Sequence, residues 1–250
     1  MPLFKADMHI HSVLSPCGDL SMSPKNIVQA ALANKIDIIA ITDHNSTKMC
    51  KIVQKVASEY GITVIPGVEV TTQEEVHCLA YFHDFEQANT FQEYLEANLP
   101  FFQNNVDYFG YQVVVDENDM ILEEIESLLI NGLKVSIEEV GQKVHELGGV
   151  FVPAHIDKHK NSIISQLGFI PPDLEIDALE LSKFTNQEKF TTTNPFYANY
   201  AYMQSSDAHF IENIGDVYTM FELENPTLNE IVDAFEGKNN RKIVSHGTKA

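Results

Sequence analysis

Apolar and polar positions follow two different periods along the chain. In the first dozen residues, apolar side chains alternate with Asp7, His9 and His11, and this period of two predicts a strand. Nearly continuous apolar runs at 36–41 and 62–65 are typical of strands buried on both faces of a parallel sheet. Between these runs, apolar residues recur at helical spacing. The pattern therefore predicts alternating strands and helices.

The middle of the chain, residues 84–148, has little strand signal beyond 112–115. Helical spacing there predicts helices over 85–97 and 120–129, and a capping box at Ser136 begins a third helix. The strand–helix rhythm resumes after this segment. We therefore interpret it as a mainly helical insertion within a larger domain.

About seven strands interleaved with helices predict one α/β domain over residues 1–250, folded as a closed or nearly closed barrel. Polar residues follow several of the apolar runs, where a barrel of this kind places its chemistry. We therefore expect one functional site at the carboxyl ends of the strands.

Composition narrows the expected partners and location. With 16 Lys and Arg against 36 Asp and Glu, the net charge is −20, which argues against broad electrostatic binding to long nucleic acid or to anionic membranes. No apolar run approaches the roughly 20 residues that span a bilayer, and the first residues lack a secretory signal pattern. The three cysteines lie far apart, which suits a reducing compartment. These features predict a cytoplasmic protein.

Histidines and carboxylates recur at the ends of the predicted strands. His9 and His11 are two residues apart on one strand, so their rings point the same way, about 6–7 Å apart, and can share one ion. On its own, this pair is equally consistent with a solvated polar face. His44, Glu69 and His155 also follow apolar runs, and so does the Asp207-x-His209 pair. Such agreement favours a metal site, and imidazole with carboxylate ligands suits zinc, manganese or iron.

Six motifs follow one another along the chain: Asp7-x-His9-x-His11-Ser12, Thr42-Asp43-His44-Asn45, Gly67-x-Glu69, His77, Pro153-Ala154-His155 and Ser206-Asp207-x-His209. Together they resemble the polymerase-and-histidinol-phosphatase (PHP) family over nearly the whole chain. The resemblance implies a distorted (β/α)7 TIM-like barrel that binds two or three divalent ions and hydrolyses phosphate esters.

The resemblance also implies three sets of metal ligands: His9, His11, Glu69 and Asp207; a bridging Glu69 with His77 and His155; and Asp19, His44 and His209. His83 competes with His77 for its place. Cys17 competes with Asp19, which we prefer because its distance from Pro24 matches the loop carboxylate of the family's shorter form. Asp7 and Asp43 are expected to lie behind the ligands and orient them.

The expected reaction is hydrolysis of a phosphomonoester or small phosphodiester in a small phosphorylated substrate. Clustered divalent ions polarise a phosphoryl group, and a bridging hydroxide attacks phosphorus. Glu69, Asp207 and His209 are the catalytic candidates, with His209 or a metal-bound water supplying the proton to the leaving oxygen. Lys158 and Lys183 are expected to bind phosphate, although each is also consistent with a solvated surface lysine.

Two other functions remain open. An amidohydrolase-like barrel also uses a His-x-His strand for metal-dependent C–N hydrolysis. A non-catalytic regulatory module could hold metal ions without turnover, although the complete set of candidate ligands argues against this. His145 lies on the expected outer face of a helix and is predicted to be exposed and to have no part in the site.

Overall fold

A computed structural model describes residues 1–249. The strands are β1 (Leu3–Ile10), β2 (Ile38–Ile41), β3 (Thr63–Thr71), β4 (His77–Tyr81), β5 (Val113–Val115), β6 (Ile121–Glu124), β7 (Val150–Pro153), β8 (Leu179–Leu181), β9 (Tyr202–Gln204), β10 (Val217–Glu222) and β11 (Lys242–Thr248). The α-helices are α1 (Pro24–Ala33), α2 (Cys50–Ala57), α3 (Phe85–Asn98), α4 (Val106–Phe109), α5 (Ile137–Glu146), α6 (Ile163–Leu167), α7 (Gln187–Thr193) and α8 (Leu228–Glu236). Short 3₁₀ turns occupy Ser58–Tyr60, Pro195–Tyr197 and Ile211–Asn213. Within residues 1–249, every helix is too short or too polar to cross a bilayer.

The main sheet has seven strands in the order β11-β10-β1-β2-β3-β4-β7. β1, β2 and β3 run parallel, while β4, β7, β10 and β11 each pair antiparallel with their neighbours. The parallel strands are buried on both faces, as the continuous apolar run of β2 predicts. This arrangement brings the carboxyl ends of β1, β2 and β3 to one rim.

The parallel pair β8–β9 closes the sheet into a ring. On one side, the Ile156 amide donates to the Glu180 carbonyl at 2.9 Å, which joins the segment after β7 to β8. On the other side, Ile10 at the end of β1 bridges to Ala208 just beyond β9. Strands β1, β2, β3, β4, β7, β8 and β9 thus surround one interior, and the predicted α/β barrel of the (β/α)7 type is confirmed.

Small and medium apolar side chains fill the ring. Ala6, Met8, Ile38 and Leu79 are almost completely buried inside it, and the Tyr81 hydroxyl crosses the interior to donate to the Met8 carbonyl at 2.8 Å. Full burial of such a side chain contributes roughly 1.5–3 kcal/mol. The packed interior makes the barrel a rigid support for side chains at its rim.

The segment 84–148 contains three helices and a hairpin, so one element of its prediction is wrong. The expected helix over 120–129 is absent, because 121–124 forms β6 and pairs antiparallel with β5. The Asp116 carboxylate accepts from the amides of Asn118 at 2.7 Å and Met120 at 3.0 Å, which reverses the chain. Turn chemistry therefore prevails over the helical spacing here. The interpretation of this segment as an insertion within one domain remains a prediction.

Candidate metal centre

The end of β1 supplies two imidazoles whose outer nitrogens face each other. His9 and His11 are fully buried, and their Nε2 atoms lie 3.2 Å apart. Both Nε2 atoms are also 3.4 Å from Oδ1 of Asp207. Backbone bonds from β1 to the segment after β9 hold the two motifs together, since the His11 amide donates to the Ala208 carbonyl at 3.0 Å.

Hydrogen bonds at the inner nitrogens fix the tautomers of both rings. Nδ1 of His9 lies 3.0 Å from a carboxylate oxygen of Glu180, which can only accept when ionised. Nδ1 of His11 lies 2.9 Å from the Ser15 hydroxyl, which itself donates to Asp43 at 2.7 Å and must therefore accept from His11. Each neutral ring then carries its lone pair on Nε2. Two lone pairs facing each other at 3.2 Å require a cation or proton between them.

Glu69, near the carboxyl end of β3, is the centre of the cluster. Its carboxylate is 1% exposed and meets five imidazoles, from β1 and from the segments that border β2, β4 and β7. The nitrogen–oxygen distances are 3.4 Å for His9, 3.4 Å for His11, 3.1 Å for His44, 2.9 Å for His77 and 3.1 Å for His155. These contacts involve both carboxylate oxygens, as a carboxylate that bridges two ions requires.

Unusual backbone and unpaired nitrogens mark the rim. His155 and Asp207 have φ values of 30° and 52°, the left-handed region that costs a non-glycine residue about 1–3 kcal/mol. Nδ1 of His155 is buried and has no hydrogen-bond partner, and the buried Nδ1 of His44 makes no hydrogen bond although a Glu69 oxygen lies 3.1 Å away. Strain and unsatisfied polar atoms cluster where function requires them.

Charges within the cluster shift the pKa values in opposite directions. Burial raises the pKa of Glu69, but the surrounding imidazoles, His77 foremost, outweigh burial and hold it well below its usual value. Burial lowers the pKa of His9, but the Glu180, Asp207 and Glu69 carboxylates outweigh it, so the His9 pKa is well above its usual value. Burial instead lowers the pKa of His11 to about 3. The pKa values of two neighbouring histidines, His9 and His11, are thus shifted in opposite directions.

The donor set fits divalent ions. Three groups of potential ligand atoms lie within 4.8 Å of one another: His9, His11 and Glu69; His44, Glu69 and His77; and His11, Cys17, His44 and His209. Imidazole and carboxylate donors in this combination suit zinc, manganese or iron. The facing lone pairs of His9 and His11 supply a structural reason for a cation at the same place.

Asp19 is the predicted ligand that the structure does not bring into this cluster. Its carboxylate is exposed and accepts from the Ser21 amide at 2.8 Å, a local Asx turn that faces it away from the histidines. Cys17 occupies the place expected of Asp19, because its sulfur lies with the nitrogens of His44 and His209. The preference for Asp19 over Cys17 therefore disagrees with the geometry.

The two predicted phosphate-binding lysines lie in different places. Lys158 lines a cleft of about 290 Å³ above Glu69 and forms an ion pair with Asp207. Lys183 is not among the residues that line the cleft, and its Nζ lies 3.7 Å from the Asp216 carboxylate. Lys160 and Asn161 also line the cleft and were missed, although they follow Lys158 closely in sequence.

Other side chains differ in role from their predictions. Glu180 was missed as a positioning residue, and its buried place on the short strand β8 was the only available signal. Asp7 does not touch His9, since its carboxylate accepts from the amides of Ser206 and Gly215 at 2.9 and 2.8 Å and anchors the backbone before Asp207. His83 is exposed, so His77 holds the place for which the two residues competed.

His145 is also placed differently from its prediction. It was expected to be exposed, but it is half-buried, and its Nε2 lies 3.0 Å from the Asp177 carboxylate. The charge of that carboxylate raises the His145 pKa. His145 is therefore unsuitable as a neutral control residue, although it stays outside the metal cluster as expected.

Comparison with known proteins places this arrangement among characterised families. The PHP domain family matches residues 7–149, and the PHP-associated family matches residues 199–239. An uncharacterized protein of Methanocaldococcus jannaschii, MJ1587, is 36% identical over 78 residues, which cover 28% of this chain and 46% of that protein. A 5'-3' exoribonuclease of Haemophilus influenzae is 35% identical over 71 residues, which cover 28% of this chain and 25% of the exoribonuclease. The chain thus matches less than half the length of these relatives.

Among solved structures, the lesion-specific endonuclease Q of Pyrococcus furiosus has a TM-score of 0.73 at 20% identity, over 100% of this chain and 60% of that one. Endonuclease Q bound to a 27-mer duplex with an abasic lesion at its active site gives a TM-score of 0.74 at 20% identity, over 98% and 59% of the two chains. These similarities show the shared barrel fold.

These comparisons overturn the expectation that long nucleic acid is excluded as a partner. That prediction rested on the net charge of −20, and it is wrong, because proteins similar to this chain include a ribonuclease and an endonuclease with a DNA duplex at its active site. Net charge describes the average field around a protein, whereas metal ions and a few lysines set the field inside a cleft.

Proposed function

The chain belongs to the PHP family, whose domain matches residues 7–149, and from this we propose that it is a metal-dependent phosphoesterase that cleaves phosphate esters of nucleic acid. The observation that carries the proposal is the buried Glu69 carboxylate surrounded by five imidazoles, beside the facing lone pairs of His9 and His11. Such a cluster is costly to bury without a cation and suits two or three divalent ions.

The same residues supply both binding and orientation. His9, His11, Glu69 and Asp207 would hold one ion, and Glu69 with His77 and His155 would hold a second. Bound there, divalent ions polarise a phosphoryl group and lower the pKa of bound water. Glu180 fixes the orientation of His9, and Ser15 fixes that of His11, so the ligands are held before any ion arrives.

Lys158 is the side chain best placed to bind the phosphate. It lines the cleft beside Asp207, and although burial lowers its pKa, the Asp207 carboxylate outweighs burial and raises it. The ammonium group therefore stays charged and can donate to a phosphate oxygen. Lys160 and Asn161 extend the same polar rim. We no longer assign this role to Lys183, which pairs with Asp216.

His209 is better placed as a ligand than as a proton donor. Its Nδ1 lies 3.0 Å from the Asp207 carbonyl, which can only accept, so Nδ1 carries the proton. Nε2 is then the nitrogen that can offer a lone pair to a metal ion. Lys158, a charged donor in the cleft, takes over from His209 as our candidate for protonating the leaving oxygen.

Nucleic acid is the proposed substrate class for two reasons. A relative is named as a 5'-3' exoribonuclease, and endonuclease Q shares the fold. In addition, Phe210 is 48% exposed and directly follows His209, which lines the cleft. Exposed aromatic rings beside lysines stack on bases without regard to sequence.

A substrate panel with defined metals tests the proposal. Protein loaded with zinc, manganese or iron is assayed on p-nitrophenyl phosphate, bis-p-nitrophenyl phosphate, a 5'-phosphorylated single-stranded RNA, its DNA equivalent and a DNA duplex. We expect chelator-sensitive cleavage of at least one nucleic acid, at a higher kcat/KM than either small ester. Binding of metal without cleavage of any ester, or faster hydrolysis of an N-acyl amino acid, would overturn it.

A further inference from the structure

The loop after β1 carries a cysteine into the cluster of histidines. The sulfur of Cys17 lies within 4.8 Å of ring nitrogens of His11, His44 and His209. Backbone bonds hold the loop in place, since the Gly18 amide donates to the Ser15 carbonyl and the Asp19 amide donates to the His209 carbonyl, both at 2.9 Å. A Cβ at Gly18 would come within 2.6 Å of the Ser12 carbonyl oxygen, so the tight turn requires glycine.

We propose that Cys17 binds one of the divalent ions as a thiolate, together with His44 and His209. This inference rests on the proposed metal centre and refines it. One position would be a Cys-His-His site that prefers thiophilic ions such as zinc and cadmium, while the Glu69 positions keep only nitrogen and oxygen donors. The softer site then differs from the others in metal preference within a single cleft.

The histidines around Cys17 independently indicate a ligand. His44 is 2% exposed, and its Nδ1 makes no hydrogen bond, although buried polar nitrogens almost always do and although a Glu69 oxygen lies 3.1 Å away. His209 donates from Nδ1 to the Asp207 carbonyl, which leaves Nε2 with a free lone pair. Ring nitrogens of both histidines lie within 4.8 Å of the same sulfur, as in a preformed ligand set.

The alternative oxygen ligand on this loop is already engaged. The Asp19 carboxylate is exposed and accepts from the Ser21 amide at 2.8 Å. To reach the histidines, Asp19 would have to break this Asx turn and rearrange the loop. Cys17 needs no such rearrangement, because its sulfur already lies with the two ring nitrogens.

Binding must displace a proton from sulfur. A cysteine thiol has an ordinary pKa of about 8.5, so most of it is protonated at neutral pH. The free protein therefore holds Cys–SH, and the reaction is Cys–SH + M²⁺ → Cys–S–M⁺ + H⁺, with no change in oxidation state. A divalent ion supplies the positive charge that this site otherwise lacks, so metal binding and proton release are coupled.

Thiol reactivity gives a readout that is independent of catalysis. Cys50 and Cys78 are buried, so in chelator-treated native protein we expect one thiol per chain, that of Cys17, to react with Ellman's reagent. Added Zn²⁺ should slow this reaction at least about tenfold, because a thiolate bound to metal is not free to attack the reagent, while Mn²⁺ should protect less. Cd²⁺ should produce a thiolate-to-metal charge-transfer band in the ultraviolet.

Two matched variants on the same loop complete the test. Cys17→Ser should abolish the charge-transfer band and lower the zinc content by one ion per chain, whereas Asp19→Ala should change neither. Equal thiol reactivity with and without Zn²⁺, or a zinc loss in Asp19→Ala but not in Cys17→Ser, would overturn the proposal. Failure of the metal centre itself is distinguishable, because wild-type protein would then bind no stoichiometric zinc at all.

Discussion

Two carboxylates in this molecule illustrate different uses of charge. Glu69, on β3, is 1% exposed and meets five imidazoles. Glu230, on α8, binds the Arg241 guanidinium through both oxygens at 2.7 and 2.9 Å. The groups around Glu69 are charged only when protonated, whereas the partner of Glu230 is a permanent cation.

The difference lies in what each carboxylate still requires. A forked pair between arginine and a carboxylate is complete without any added ion. The imidazoles around Glu69 can instead offer lone pairs to a metal ion, and burial lowers the pKa of one of them, His11, to about 3. The Arg241 pair therefore serves the fold, whereas the Glu69 cluster awaits a cation.

The pKa values of the two carboxylates are both lowered, but for different reasons. The bond from Arg241 lowers the pKa of Glu230 to about 2. At Glu69, burial raises the pKa and the surrounding imidazoles more than compensate. A metal ion would replace the protons of those imidazoles, so only the Glu69 cluster exchanges protons for metal ions on loading.

Replacing Glu69 with Gln should have the largest effect. The amide keeps the shape but removes the charge that two ions are proposed to share. We expect loss of at least one ion per chain and a fall in phosphoesterase activity of at least about 100-fold, the upper end of what changes outside the ligand shell cost. Elemental analysis and kcat/KM on the best substrate measure these two effects.

Glu59→Gln is the matched control, because Glu59 lies exposed in the 3₁₀ turn after α2. It makes the same chemical change on the surface and should leave both metal content and activity unchanged. Equal results in the two variants would mean that the cluster around Glu69 is not where the ions bind.

The contrast also explains how much the sequence could predict. The predicted family is confirmed by the PHP domain match. The structure also contains the predicted barrel, and it brings together His9, His11, His44, Glu69 and His155. Each of these side chains lies on or next to a strand, and strand periodicity together with parallel pairing fixes where such residues meet. The alternation of residues along each strand therefore predicts contacts between residues that are far apart in the sequence.

Loops were predicted less well, because local hydrogen bonds decide their shape. Asp19 was expected among the ligands, but its bond to the Ser21 amide turns the carboxylate outward. The helix expected over 120–129 is a hairpin, because Asp116 caps a turn before it. The loop at Asp19 has no hydrophobic period that would fix its geometry, and at 120–129 the turn overrides the helical spacing. An Asp two residues before the donor in each turn was the only available signal.

Replacing Glu180 should have an effect of intermediate size, on metal affinity. Its carboxylate accepts from Nδ1 of His9 at 3.0 Å and from the His155 amide at 3.1 Å, so it orients two proposed ligands without touching the cleft. Glu180→Ala should weaken metal affinity by about 10- to 100-fold, as other losses of a ligand's supporting partner do. Titration of chelator-treated protein with Zn²⁺ measures this change.

Glu180→Gln distinguishes orientation from simple packing. The amide oxygen still accepts from His9, so it should recover part of the affinity that Ala loses, while the two variants should have similar melting temperatures once metal is removed. If Gln and Ala lose the same affinity, the charge of Glu180 matters and the hydrogen bond does not.

Replacing Glu230 with Gln should have the smallest effect, and on stability alone. The side chains of Glu230 and Arg241 are 14% and 15% exposed, so solvent screens much of their attraction, and we expect the melting temperature at pH 7 to fall by about 1–2 °C. The folded pKa of Glu230, about 2, lies below the unfolded carboxyl value of about 4.3. The stabilisation is therefore fully present above that unfolded value and is lost as the pH falls through about 2, where variant and wild type should converge. Metal content and kcat/KM should not change. A loss of metal in Glu230→Gln would contradict the distinction between the roles of Glu69 and Glu230. The pair of Glu230 with Arg241 would then support the metal cluster as well as the fold.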